Sequence, residues 1–483
     1  MDVMEPIVVE AEHKAQFAKE QDRLLETILN YRFFYPWKSL EKNVNNELSL
    51  KMESKLEIYV TPVCNQNCSY CYLKDNHNIY PQDKINPELI LHNLKLLFDY
   101  ILVNNYDIPE IEYFSGEIWH TKLGLDVLDL TIEYLKKGIK LGHVVISSNC
   151  YFVNKDETLQ KLQQRIDQIK MMTPIEFSLS IDGPLVDNLT RARSNGNKYD
   201  DEFYDKVFTF AKHNGFLFHP MLSAASMPYQ KENYDWWKKK LKEYNIEGYV
   251  MDLAMMLEVR NDDWTDEALK AYNDFLNYIL DDYLTDNCNG DVEYFAQQFG
   301  FIRNQKNENS FKIGGYIPWE IIEVDSILGC TVTTDLTVRL GDLAICPCHR
   351  TAYDHYLYGY FKVENDMITG ITAQNPEMAI KILFSNLHTS SPVCNQCYLK
   401  DYCEHGCYGS QLEVMKDPFF PIPGVCKLFR EKNHTILEYL RKHGVIDYYK
   451  TINAQEVESE RILKLLKFEQ LEREMYKNEL GTC

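Results

Sequence analysis

The chain has 483 residues, 45% of them hydrophobic and 25% charged, which is enough to bury a sizeable core and to build two or three domains. Its net charge of -21 argues against nucleic acid, whose recognition needs a basic footprint, and no apolar stretch approaches the length of a membrane span. Fourteen cysteines without an apolar h-region near the N-terminus point to a cytoplasmic, reducing setting and not to a secreted disulfide scaffold.

Residues 1–55 read as a helical extension, with a charged helical stretch over 10–28 and an aromatic cluster from Tyr31 to Trp37. Residues 56–62 alternate and are rich in strand formers, and Pro62 stops the strand. Cys64, Cys68 and Cys71 follow at once. Further strands are expected at 110–116, 143–149, 175–182, 216–223 and 248–255, with helices at 88–102, 123–137, 159–171 and 234–244 between them. Six strands alternating with helices predict a parallel (β/α)6 partial barrel over 56–256, whose site lies at the carboxyl ends of the strands. Residues 257–325 form a bridging region with a helix at 266–284, residues 326–430 are rich in cysteine, and 431–483 are a helical tail with Ile462, Leu463, Leu465, Leu466 and Phe468 on an apolar face.

Three thiolates on one short loop hold three irons of a [4Fe-4S] cube and leave the fourth open to a small molecule. Zinc prefers paired Cys-x-x-Cys or Cys/His sets, and His77 is not at a usual ligand spacing. Other marked residues fall at expected strand ends. Tyr113-Phe114-Ser115-Gly116-Glu117 closes the second strand, Ile146-Ser147-Ser148-Asn149-Cys150 the third, and Phe177-Ser178-Leu179-Ser180-Ile181-Asp182-Gly183-Pro184 the fourth, with Asp187 and Arg191 just beyond. Alone, Asp182-Gly183-Pro184 is a plain turn and Cys150 a buried thiol. A second set runs Cys330, Gly341, Cys346, then Cys394-x2-Cys397-x5-Cys403-x3-Cys407, then Cys426.

The cysteine loop resembles that of the radical S-adenosylmethionine (SAM) enzymes, in which the methionyl amine and carboxylate of SAM chelate the fourth iron. The resemblance implies that an electron from the cluster splits SAM into methionine and a 5′-deoxyadenosyl radical, which takes a hydrogen atom from a substrate. Gly116 and Glu117 resemble the end of the family's Gly-Gly-Glu motif, which binds the SAM amine, although Ser115 and Ile118 depart from it. Ser148 and Asn149 lie near its Thr-Asn-Gly turn and are candidate polar contacts to SAM, with Cys150 in place of glycine. Ser180 and Arg191 resemble the ribose- or carboxylate-contacting Ser and the carboxylate-pairing Arg of the members that modify proteins and peptides, with Arg193 as the alternative. The second cysteine set resembles the SPASM extension. That resemblance implies two auxiliary [4Fe-4S] clusters, the distal one held by Cys394, Cys397, Cys403 and Cys426, and the nearer by Cys330, Cys346 and Cys407. The nearer is one ligand short: Cys348 fills it or exchanges roles with Cys346, Cys288 or Cys483 supplies it from further off, or the site stays open to a substrate thiolate.

The expected activity is oxidative maturation of a ribosomally made precursor peptide, installing a thioether, carbon-carbon or ether crosslink. His349, Asp182 and the acidic run Glu258 to Asp263 are candidate bases. Expected partners are the peptide and an electron donor such as flavodoxin or ferredoxin; residues 1–55 are too short and too poor in strands for a leader-binding domain, so leader binding falls elsewhere or to a separate leader-binding protein. A sulfatase-type maturase that makes formylglycine and a non-catalytic iron-sulfur electron carrier are the alternatives.

Overall fold

The computed structural model describes residues 4–38, 54–73, 85–193 except Ser115, 199–246, 264–284, 334–384, 391–400, 406–444 and 466–476, with isolated residues at 256–257, 301–302, 317–318, 332, 446–447 and 450. The chain is mixed α/β and divides into two compact units.

The first unit comprises residues 1–65, 71–178 and 331–385. Its strands are β1 (Leu56–Tyr59), β2 (Ile111–Phe114), β3 (Val144–Ser148), β4 (Ile175–Leu179), β5 (Leu336–Arg339), β6 (Ala344–Cys346), β7 (Gly359–Glu364) and β8 (Met367–Ala373). They are hydrogen-bonded in the order β8-β7-β6-β5-β1-β2-β3-β4. β5, β1, β2 and β3 run parallel, and β5 through β8 form an antiparallel meander. Every residue of β1 is buried, as expected of a central parallel strand covered on both faces.

Helices Pro87–Val103, Leu123–Lys136 and Asp156–Lys170 make the crossovers between β1 and β4. The first starts where Asn86 accepts the Glu88 N–H and Pro87 supplies a preset φ. It buries Ile90, Leu94, Leu97, Phe98 and Ile101 on one stripe. The N-terminal helix spans Met4–Leu29, longer than its charged sequence suggested, and runs through a π turn at Asn30–Phe34 into Tyr35–Lys38. It buries Leu25, Ile28, Leu29, Phe33, Phe34 and Trp37, and Asp22 accepts the Ala373 N–H of β8.

The second unit comprises residues 66–70, 179–330 and 386–483. Its described part is mostly helical, with Asp201–Asn214, Gln230–Tyr244, Asp266–Leu284 and Pro423–Lys442 as the long helices. The expected fifth strand is broken into Leu217–Phe218 and Met221–Leu222. His219-Pro220 separates the two pieces, and Pro220 has no N–H to give a ladder. The expected sixth strand, 248–255, lies outside the described residues, although Met256–Leu257 just after it pairs parallel with Met221–Leu222.

No helix among the described residues is long and apolar enough to cross a membrane.

Candidate functional site

In the first unit the carboxyl ends of β2 and β3 meet the start of the cysteine loop. Gly116 has a φ of +27°, and a Cβ there would lie 2.3 Å from the Val63 carbonyl oxygen and 2.6 Å from that of Thr61. Only glycine lets the β2 end come this close to the loop. The contact is locked by the Glu117 N–H, which donates to the Val63 carbonyl at 2.8 Å.

The Glu117 side chain turns inward, 2% exposed. Its carboxylate accepts the Ser148 hydroxyl at 3.1 Å, the Asn149 N–H at 2.6 Å and the Trp119 N–H at 3.3 Å. Hydrogen bonds to a buried charge stabilise by roughly 1.5–3 kcal/mol each, so this carboxylate is firmly placed. Behind it, Trp119 packs on Phe152 and Phe177 with centroids 6.0 and 5.7 Å apart. Cys150 follows in the left-handed region at φ 64°, a conformation that costs a non-glycine residue about 1–3 kcal/mol and tends to persist at functional sites. That turn directs Asn149 back to the loop, where its amide donates to Asn65 Oδ1 at 2.7 Å and Cys64 Sγ at 3.7 Å. Cys64, Gly116, Glu117, Ser148 and Asn149, chosen from three separate stretches, thus share one place.

His349 belongs to the same unit. Its Nδ1 is hydrogen-bonded to Glu57 on β1, and its ring lies 4.1 Å from that of Phe114 and 5.4 Å from that of Tyr72, centroid to centroid. Glu57 also accepts the Thr337 hydroxyl at 2.7 Å, from the residue beside it on β5. Burial pushes Glu57 up, but His349 outweighs it, with help from Lys55 and Thr337, and holds the carboxyl well below its ordinary range. Sequence reasoning missed Glu57, although an acid inside the strand Leu56–Tyr59 is itself a signal.

In the second unit Asp182, Asp187 and Arg191 form a buried network. Asp182 accepts the Tyr70 hydroxyl at 2.6 Å and the Met221 N–H at 2.7 Å, and lies 3.7 Å from Arg191 Nη1. Arg191 Nη1 also donates to the Tyr70 oxygen at 2.6 Å, and its Nε lies 3.5 Å from Asp187. Asp187 accepts the Asp182 and Gly183 N–H groups and the Tyr204 hydroxyl. Burial raises both carboxyls against the pull of Arg191, with the Asp182 charge pushing Asp187 further, to about 7. Arg191 is therefore committed to two carboxylates, and both oxygens of Asp182 are already engaged. This arrangement suits Asp182 to holding Arg191 better than to taking a substrate proton. Ser180 is half-buried just past β4, and only the backbone of Arg193 is described.

Gly183 permits the turn. At φ +100°, an added Cβ would sit 2.2 Å from Asn233 Oδ1.

Of the second cysteine set, Cys394, Cys397 and Cys426 line one cavity of roughly 450 Å³ in the second unit, with Gly406, Lys400 and Arg430 on its wall. Burial, reinforced by Cys394 and Cys397, pushes the Cys426 thiol up to about 11. Cys407 caps the helix Tyr408–Met415 of that unit. Cys346, in the first unit, is buried among Tyr59, Leu73, Ala352 and Leu357, and burial pushes its thiol up to about 12. Cys348 is half-buried, with Sγ 3.4 Å from the Thr351 hydroxyl. Cys330, Cys403 and the acidic run 258–263 lie outside the described residues. Among the described residues no three His, Cys, Asp or Glu side chains converge on one metal-sized point. The cavity supplies soft thiol donors of the kind that iron-sulfur clusters use.

No family model matches the chain, and no curated protein matches it. Among solved structures, that of Streptococcus suis SuiB bound to S-adenosylmethionine matches over 77% of this chain and 75% of that one, with a TM-score of 0.38 and 15% sequence identity.

Proposed function

We propose that the chain is a radical SAM enzyme of the SPASM type that oxidises a ribosomally made peptide in the cytoplasm and closes a thioether, carbon-carbon or ether crosslink in it. The observation that carries this reading is the meeting of Cys64, Gly116, Glu117, Ser148 and Asn149 at the strand ends of the first unit. A structural cysteine loop has no need of a buried carboxylate held ready beside it. A site for the methionyl ammonium does.

In this reading Cys64, Cys68 and Cys71 hold a [4Fe-4S] cluster that, when bound, supplies reductive cleavage of SAM and hence hydrogen-atom abstraction from the substrate. Glu117 grips the SAM amine, oriented by Ser148 and the Asn149 N–H. Arg191, paired with Asp182 and Tyr70, is the candidate by resemblance for the SAM carboxylate. His349, held by Glu57 and flanked by Phe114 and Tyr72, takes the substrate proton. Cys394, Cys397, Cys403 and Cys426 hold the distal auxiliary cluster. Cys330, Cys346, Cys407 and Cys348 are the ligands the sequence offers for the nearer one. A flavodoxin- or ferredoxin-like protein supplies the electron, and the acidic chain favours a basic or mixed peptide.

The test is anaerobic reconstitution followed by SAM and a strong reductant. The native chain should turn brown and release 5′-deoxyadenosine, and the Cys64/Cys68/Cys71→Ala variant should release none. A brown protein that leaves SAM intact would be an electron carrier, and a colourless one would leave the zinc reading standing.

A further inference from the structure

Asn149 has its amide orientation decided by its neighbours. Its Oδ1 accepts the Tyr151 N–H at 3.1 Å, so the NH2 end must face the other way. There one proton goes to Asn65 Oδ1 at 2.7 Å, and the sulfur of Cys64 lies 3.7 Å from the same nitrogen. Flipping the amide would set its oxygen against Asn65 Oδ1 and abandon the Tyr151 N–H. The backbone leaves little slack either, because the Asn149 N–H is fixed on Glu117 at 2.6 Å and Cys150 holds the next turn.

A neutral thiol is a weak acceptor, whereas a thiolate makes a charge-assisted bond of about twice the strength. Asn149 and Asn65 are 6% and 9% exposed, so little water competes for this dipole. As a thiol Cys64 can donate to Asn65 Oδ1, 3.9 Å away; as a ligating thiolate it can only accept, and the donor facing it is the Asn149 amide. On reduction by one electron the cluster gains a negative charge, part of it on the ligand sulfurs, and a donor aimed at sulfur favours that state.

We propose that Asn149 is a tuning residue: its side-chain amide donates to the Cys64 sulfur and raises the reduction potential of the cluster on that loop. This rests on the cluster assignment above and goes beyond it, since the resemblance placed Asn149 against SAM. The donor eases acceptance of the electron delivered to the cluster.

The test is an anaerobic redox titration of the SAM-free reconstituted protein, followed by the EPR signal of the reduced cluster. Asn149→Leu removes the donor at similar size and without new charge, and should lower the reduced-to-oxidised ratio at fixed potential by at least tenfold, a shift of about 59 mV for one electron. Asn65→Ala, which keeps the Asn149 donor but removes an oxygen 3.9 Å from the sulfur, should not lower the midpoint, and a fall as large as that of Asn149→Leu overturns the proposal. An iron-replete Asn149→Leu protein with the native midpoint overturns the proposal. If that variant holds no iron, native Asn149 is read directly: with Asn65 and Asn67 changed to Ala and asparagine labelled with 15N in the side-chain amide, pulsed EPR should show a 15N coupling to the reduced cluster, and its absence overturns the proposal. A native chain that binds no iron on this loop overturns the cluster assignment itself, and the proposal with it.

Discussion

Gly116 and Glu117 sit side by side but respond to substitution in different ways. Gly116→Ala meets a positive φ and two carbonyl oxygens at once, and neither oxygen can retreat without breaking the strand end. The variant should lose about 3 kcal/mol or more in chemical denaturation, together with SAM binding. Glu117→Gln keeps the volume but lacks the charge proposed to face the SAM ammonium. Its SAM affinity should fall about 10- to 100-fold, the value of one charge-assisted hydrogen bond, while iron content stays at the native level. Equal SAM affinity by equilibrium binding would remove Glu117 from the site. Arg191→Ala leaves Asp182 buried without its cation, so a stability loss of about 3–5 kcal/mol should accompany any loss of SAM affinity. An Arg191→Ala protein as stable as the native one would mean that the buried network is not built as described.

The turn after β4 is a small element with a pH signature. Asp187 in the folded chain holds its proton up to about 7, against the ordinary carboxylate range when unfolded. The folded state therefore binds more protons between about pH 4 and 7, and the contribution of this turn is complete below that window and declines as pH rises through it. Unfolding free energy measured across the window should slope downward, and Asp187→Asn should flatten the slope.

Much of this element structure was legible in the sequence. The first four strands stand where β-formers and turn residues placed them, and the motif residues at the ends of β2 and β3 do meet the cysteine loop. The fifth strand departs from the expected 216–223 because Pro220 lies inside that run and has no N–H to give a ladder. What no local pattern could show is the pairing of β5 with β1, because a parallel neighbour is chosen by tertiary packing and leaves no trace in the alternation of either strand. For the same reason the Glu57–His349 pair, joined across 292 positions, was invisible although His349 had been singled out.

At the scale of the whole molecule the cysteines set the arithmetic. Three cubes require about twelve irons and twelve sulfides per chain, and the Cys394/Cys397/Cys426→Ala variant should fall by about four of each while still cleaving SAM. Iron sufficient for only one cube in well-folded native protein would contradict two auxiliary clusters. The parallel seam between β1 and β5 has a further consequence for the life of the chain. Glu57 and Thr337 touch, yet 280 residues must be synthesised between them, which takes on the order of 15–60 s at about 5–20 residues per second. Through that interval the buried strand Leu56–Tyr59 presents an unpaired edge on the nascent chain. A ribosome that stalls before residue 336 releases a half-sheet with one sticky border. Chains truncated there should gather in inclusion bodies or on chaperones, whatever the state of their iron.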